Sequence, residues 1–132
     1  GGLAIYRLAA RFQPAPGTDQ IGTVQAISAE TGEIVWGYEQ RAATLSLATT
    51  GGGLVFGGDA NGRFRAFDQT SGEVLWEINL GSPVTGFPIS FAVDGRQYVV
   101  ASTGTSSNFG SLHPELNPSS GNNLFVFALP DE

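Results

Sequence analysis

The sequence predicts an all-β fold assembled from antiparallel sheet repeats about 40 residues long, and three observations carry that expectation. One segment recurs at a fixed offset. Strong turn signals separate short apolar runs. The 19 glycines stand at the ends of those runs, where tight turns need them, rather than at every third position as in collagen.

The recurring segment is Ala26-Ile27-Ser28-Ala29-Glu30-Thr31-Gly32-Glu33-Ile34-Val35-Trp36, which returns 40 residues later as Ala66-Phe67-Asp68-Gln69-Thr70-Ser71-Gly72-Glu73-Val74-Leu75-Trp76. Each copy reads as strand, polar turn around Gly32 or Gly72, and strand. Asn61-Gly62, a strong hairpin signal, joins Leu54-Val55-Phe56 to Arg63-Phe64-Arg65-Ala66-Phe67. One full unit of four strands follows, near 44–49, 53–58, 63–68 and 73–78. An incomplete unit precedes it, with strands near 3–8, 23–28 and 33–39. A second incomplete unit follows, with strands near 85–91, 97–102 and 123–128.

A repeat of this length is that of a β-propeller blade. The expected organisation is therefore an incomplete blade over 1–40, a complete blade over 41–80 and a closing blade over 81–130. Each blade must bury both sheet faces against neighbours, so about two and a half blades cannot close a ring. Either a larger chain or missing N-terminal blades should complete it. The repeat disfavours the rival arrangement, a single compact β-sandwich.

Twelve acidic residues against six basic ones give a formal charge of -6, which argues against nucleic acid as a partner. No apolar run reaches the roughly 18 residues of a spanning helix. The absence of cysteine removes disulfides and thiolate metal ligands. Gly1-Gly2-Leu3 reads as the interior of a longer polypeptide, so a missing leader carries little weight.

The two Ala-x-(Asp/Ser)-x-x-(Thr/Ser)-Gly-x-x-x-Trp segments resemble the tryptophan-docking motif of the pyrroloquinoline quinone (PQQ) dependent alcohol dehydrogenases, or quinoproteins, whose catalytic domains are eight-bladed propellers. The likeness continues through Leu47-Ala48-Thr49-Thr50-Gly51-Gly52-Gly53-Leu54-Val55-Phe56-Gly57-Gly58-Asp59, Gly86-Phe87-Pro88-Ile89, Val93-Asp94-Gly95-Arg96-Gln97-Tyr98-Val99 and the closing stretch Pro118 to Pro130. These motifs stand in family order from about Gly22 to Pro130. The resemblance implies the C-terminal blades of such a ring. It also implies that Trp36 and Trp76 are structural rings packed between blades, with Gly32 and Gly72 permitting the turns. Ser28 departs from the aspartate usual in the motif, and serine caps a turn less well.

The same resemblance implies oxidation of an alcohol or sugar hydroxyl with PQQ and a calcium or lanthanide ion, in the periplasm, with a cytochrome as electron acceptor. The metal ligands and the aspartate base come from other blades in the family, so this chain is expected to hold no catalytic residue and no metal ligand. Its share of the site is wall and rim, with Thr44, Gly104 and Thr105 as cofactor neighbours. Ala43 stands where several relatives have a tryptophan. The long polar segment from Thr105 to Asn122 either forms a substrate-access loop with Phe109, Leu112, His113 and Leu116, or is a surface excursion against a neighbouring chain or blade.

The residues themselves suggest nothing further catalytic. Asp59, Asp68 and Asp94 lie in turns, where a carboxylate caps backbone N–H groups. Glu30, Glu33 and Glu73 flank hairpins as solvated side chains, and His113 is the only histidine. Arg63 and Arg65 share a strand face, while Arg41 and Arg96 look isolated. The glycine run 51–53 precedes a strand and so is no phosphate loop. Two other functions remain open at this point: a cofactor-free propeller of PQQ-like repeats whose rim binds proteins, and self-association of several copies into a pseudo-propeller.

Overall fold

The computed structural model describes residues 16–104 and 119–129. Nine strands form three antiparallel sheets among them. The first sheet pairs β1 (Gly22–Ile27) with β2 (Ile34–Gln40). The second orders β3 (Thr44–Thr49), β4 (Leu54–Asp59), β5 (Arg63–Asp68) and β6 (Val74–Asn79). The third orders β7 (Ile89–Val93), β8 (Arg96–Thr103) and β9 (Asn123–Ala128). Every strand pairs with its sequence neighbour, so the chain is a partial β-propeller of successive meander blades. The strand expected near 3–8 lies outside the described residues.

The repeat is reproduced in local geometry. In the first hairpin Ser28 N donates to Glu33 O and Gly32 N to Ser28 O; in the second Asp68 N donates to Glu73 O and Gly72 N to Asp68 O. Both ladders shift register at the same place, between Ala26 and Ile27 and between Ala66 and Phe67. Gly32 and Gly72 have φ of 74° and 75°, a region closed to most L side chains. The capping differs as serine and aspartate should. Ser28 Oγ accepts one bond, from Thr31 N at 3.2 Å, whereas Asp68 Oδ1 accepts from Thr70 N, Ser71 N and Ser71 Oγ at 2.8–3.0 Å.

One strand begins later than the sequence suggests. β7 starts at Ile89 instead of near 85, because Pro88 has no N–H for the ladder and pairing before it dwindles to a single long contact, Gly86 N to Ser102 O at 3.5 Å.

The second sheet is covered on both faces. Against the first sheet, Val24, Val55 and Phe67 pack with Trp36, Tyr38 and Val74. Against the third, Phe56, Phe64, Ala66, Leu80, Val84, Val99 and Ala101 form the larger core, with Phe125 and Phe127 on its margin. Burying a side chain such as Phe64, which is fully enclosed, contributes about 2–3 kcal/mol. The outer sheets keep apolar side chains in solvent, including Ile27, Ile34 and Val35 on one side and Ile89, Phe91, Val93 and Val126 on the other. Such bare faces are what a blade shows where its neighbour is not in place.

The two tryptophans differ. Trp36 is half-buried, stacked on Phe67 at 6.4 Å between ring centroids, and its Nε1 donates to Gln69 O at 2.9 Å. Trp76 was expected in the core but is 39% exposed, meeting Phe64 and Phe127 edge-on. The reason lies in the third sheet: the Trp36 ring is covered by the β5–β6 hairpin, and among the described residues no hairpin follows β9 to cover Trp76 in the same way.

Candidate functional site

β1, β3, β5, β7 and β9 start, and β2, β4, β6 and β8 finish, at one end of the sheets. That end therefore gathers both blade-to-blade crossovers, the β4–β5 hairpin and the start of β9. Backbone bonds tie them into one surface: Ala60 N to Ala43 O, Leu80 N to Gly62 O, Val84 N to Asp59 O and Gly104 N to Pro83 O, all between 2.8 and 3.1 Å. Two glycines allow the close approach. A Cβ on Gly58 would stand 2.4 Å from Val84 Cγ1, and one on Gly22 would overlap the Ala42 carbonyl.

This connection face carries a buried polar chain. Asp59, 2% exposed, accepts from Asn61 N and Arg63 N through Oδ1 and from Arg65 Nη1 through Oδ2 at 2.7 Å. Arg65, 8% exposed, also donates from Nη1 to Gln40 Oε1 at 2.9 Å and from Nε to Glu77 Oε2 at 2.6 Å, with its guanidinium 5.6 Å from the centre of the Tyr38 ring. Burial alone pulls the Arg65 pKa down. The hydrogen bond to Asp59 and the charges of Asp59, Tyr38 and Glu77 outweigh burial, and the net shift is upward. Gln40, itself buried, then donates from Nε2 to Thr44 Oγ1 at 2.8 Å.

Of the residues expected at the rim, Thr44 is half-buried at the start of β3, with its hydroxyl 3.5 Å from Thr23 O. Two positions on, Ser46 Oγ donates to Gly86 O in the next crossover at 3.0 Å. Gly104 closes β8, and the space above its Cα is taken by the Asn122 amide, 2.6 Å from where a Cβ would lie. Ala43 is buried under the crossover. Thr105, Phe109, Leu112, His113 and Leu116 lie outside the described residues. The chain thus bonds Ser46 to Gly86 and Thr44 to Gln40 and Thr23, and separately sets Gly104 between Asn122 and Thr85, whose Oγ1 is 3.6 Å from the Cβ position of Gly104.

Sequence reasoning missed Gln40 and the double duty of Asp59, which is turn cap and ion-pair partner at once. An aspartate two residues before Asn61-Gly62 signals the cap, while its pairing with Arg65 depends on which face of the next strand is inward. Arg96 is not isolated: it donates to Leu129 O at 2.9 Å and lies over Tyr98. Asp94 takes φ 51° beside Gly95 at 81°, the paired left-handed conformation of a tight hairpin turn. Among the described residues no group of three or more His, Cys, Asp or Glu side chains could hold a metal ion. At the opposite end of the sheets, a cavity of about 470 Å³ opens between the second and third blades, lined by Leu54, Phe56, Trp76, Val99, Phe127 and Leu129 among others.

The family profile described as glucose/ethanol/alcohol dehydrogenase, beta-propeller domain, matches residues 41–99. The quinoprotein ethanol dehydrogenase of Pseudomonas putida is 32% identical over 118 residues, covering 85% of this chain and 19% of that protein. The solved structure of a europium-containing methanol dehydrogenase superposes with a TM-score of 0.75 at 30% identity, over 86% of this chain and 24% of that one. A quinohemoprotein alcohol dehydrogenase from Pseudomonas putida HK5 gives a TM-score of 0.73 at 28% identity, over 79% of this chain and 16% of that one. The chain spans at most about a fifth of the length of the curated relatives it matches.

Proposed function

Since the chain belongs to the PQQ-dependent alcohol dehydrogenase family of β-propellers, we propose that it forms C-terminal wall and rim of a quinoprotein that oxidises an alcohol or sugar hydroxyl. The blade limits in this reading are 1–40, 41–80 and 81–130, and other blades, from the same or a larger chain, complete an eight-bladed ring. The superposition of 86% of this chain on a europium-containing methanol dehydrogenase at 30% identity carries the proposal.

PQQ, when bound, supplies the two-electron acceptor; this chain's residues bind and enclose. The connection face offers a polyanionic quinone one hydroxyl donor, because the Thr44 proton is not engaged by Gln40 and has only a 3.5 Å contact with Thr23 O. Arg65, neutralised by Asp59 and Glu77, supports the wall from behind. A calcium or lanthanide ion needs about six to eight oxygen ligands. Those ligands and the catalytic base belong to other blades. Thr105 and the segment holding Phe109, Leu112, His113 and Leu116 would border substrate access. The full enzyme would work in the periplasm and pass electrons to a cytochrome, as the relationship to quinohemoproteins suggests.

The test is reconstitution of the full-length protein with PQQ and either calcium or a lanthanide, followed by dye reduction with simple alcohols and sugars. Turnover that requires both additions supports the reading. A folded full-length protein that neither binds PQQ nor turns over any such substrate overturns it.

A further inference from the structure

We propose that Arg65 and Gln40 are positioning residues that hold Thr44 as a hydrogen-bond donor toward an anionic or carbonyl oxygen of the ligand at the connection face. The inference rests on the reading above for the identity of that ligand, PQQ, but its substance is the polarity of one chain of bonds.

A guanidinium has only donors. The Gln40 side chain, facing Arg65 Nη1 at 2.9 Å, must therefore turn its carbonyl oxygen to it. Its NH₂ group is thereby aimed the other way, at Thr44 Oγ1, 2.8 Å distant. Thr44 is then obliged to accept, and its own proton must leave in another direction. It reaches Thr23 O at 3.5 Å, a long contact for a hydroxyl donor. A carboxylate or quinone oxygen at the half-buried rim would offer a shorter one. The amide cannot easily reverse. Asp59 at 2.7 Å and Glu77 at 2.6 Å keep the guanidinium in place, and Gln40 is 5% exposed, so water does not compete for either end. An ion pair in the second blade thus sets the direction of a hydroxyl at its edge through a residue of the first.

The experiment measures PQQ binding by equilibrium dialysis against full-length protein freed of cofactor, for wild type, Gln40→Glu, Thr44→Val and Thr44→Ser, with thermal unfolding of each. A carboxylate at position 40 still pairs with Arg65 but offers Thr44 only acceptors, so the hydroxyl turns its proton inward. The expected result is a Kd raised about tenfold for Gln40→Glu and for Thr44→Val, with Thr44→Ser within about twofold of wild type. Gln40→Glu should unfold no earlier than wild type, a combination that a purely structural role would not give. Should Gln40→Glu lower the melting temperature, the Val and Ser pair at position 44 decides the matter. Unchanged Kd in both Gln40→Glu and Thr44→Val overturns the polarity proposal and leaves the functional reading standing. A wild-type protein that takes up no PQQ overturns both.

Discussion

The indole of Trp36 rests directly on the backbone of Gly72, so that a Cβ at that glycine would stand 2.6 Å from two ring carbons. Gly72 also holds φ at 75°, while its repeat counterpart Gly32 has φ 74° with nothing within 4 Å of the Cβ position. The two glycines share one constraint and differ in the other.

Alanine at the two positions should separate those constraints. Gly32→Ala is expected to cost about 1–2 kcal/mol, the strain of a left-handed L residue. Gly72→Ala adds displacement of the ring and should cost about 1–3 kcal/mol more. Urea unfolding of the two variants side by side checks the difference.

Gly58 and Val84 make a second such joint, between the second blade and the crossover to the third. Gly58→Ala alone should be strongly destabilising, by about 2–4 kcal/mol, since the contact reaches the Cβ of a fully buried valine, which no rotamer change can move. Val84→Ala does not relieve it, because the Val84 Cβ is itself 2.5 Å from the added methyl; Val84→Gly does, and the double variant Gly58→Ala/Val84→Gly should be more stable than the sum of the two single losses by about 1 kcal/mol or more. Additive losses in the double-mutant cycle would refute the contact.

The ion pairs on β5 should behave oppositely. Asp59→Ala leaves a guanidinium that is 8% exposed with Glu77 as its one remaining charged partner and uncaps the β4–β5 hairpin, with an expected loss of about 3 kcal/mol that salt barely changes. Arg63→Ala removes an exposed pair with Glu77 and should cost at most about 1 kcal/mol. Denaturant melts in low and high salt distinguish the two.

Asp68 predicts a pH dependence. Bonds from the Ser71 backbone, the Ser71 hydroxyl and the Thr70 backbone hold its carboxyl below the ordinary value of 3.8. The unfolded chain therefore takes up the proton first as pH falls. The stabilisation is complete above the ordinary carboxylate value and vanishes as pH drops through the lower folded value. Asp68→Ala should lower the melting temperature at pH 7 and make little difference at pH 2, and Ser28→Asp should raise it at pH 7 only.

Much of this architecture is legible in the sequence because it is local. Hairpins at Gly32, Asn61-Gly62 and Gly72 are written in turn chemistry within a few residues, and strands β3, β5 and β9 fall where alternation and turn spacing put them. The start of β7 was misread because an apolar run continues through Pro88, whose missing donor breaks the ladder while leaving hydrophobicity intact. The rim is less legible. Gln40 and Arg65 are 25 residues apart and in different sheets, and their bond exists only because two blades stack. Nothing in the residues around either one announces the other. Asp59 was readable as a cap from Asn61-Gly62, but its second oxygen serves a partner that only the inward face of β5 reveals.

The unlike settings of Trp36 and Trp76 give the chain a built-in optical gauge. With only two tryptophans, one held against Gly72 and one 39% in solvent, their emission arises from dissimilar surroundings at repeat-equivalent places. Covering the third blade would move the Trp76 contribution toward the blue and leave that of Trp36 where it is. Ring completion could thus be followed by the colour of intrinsic fluorescence, with no added label.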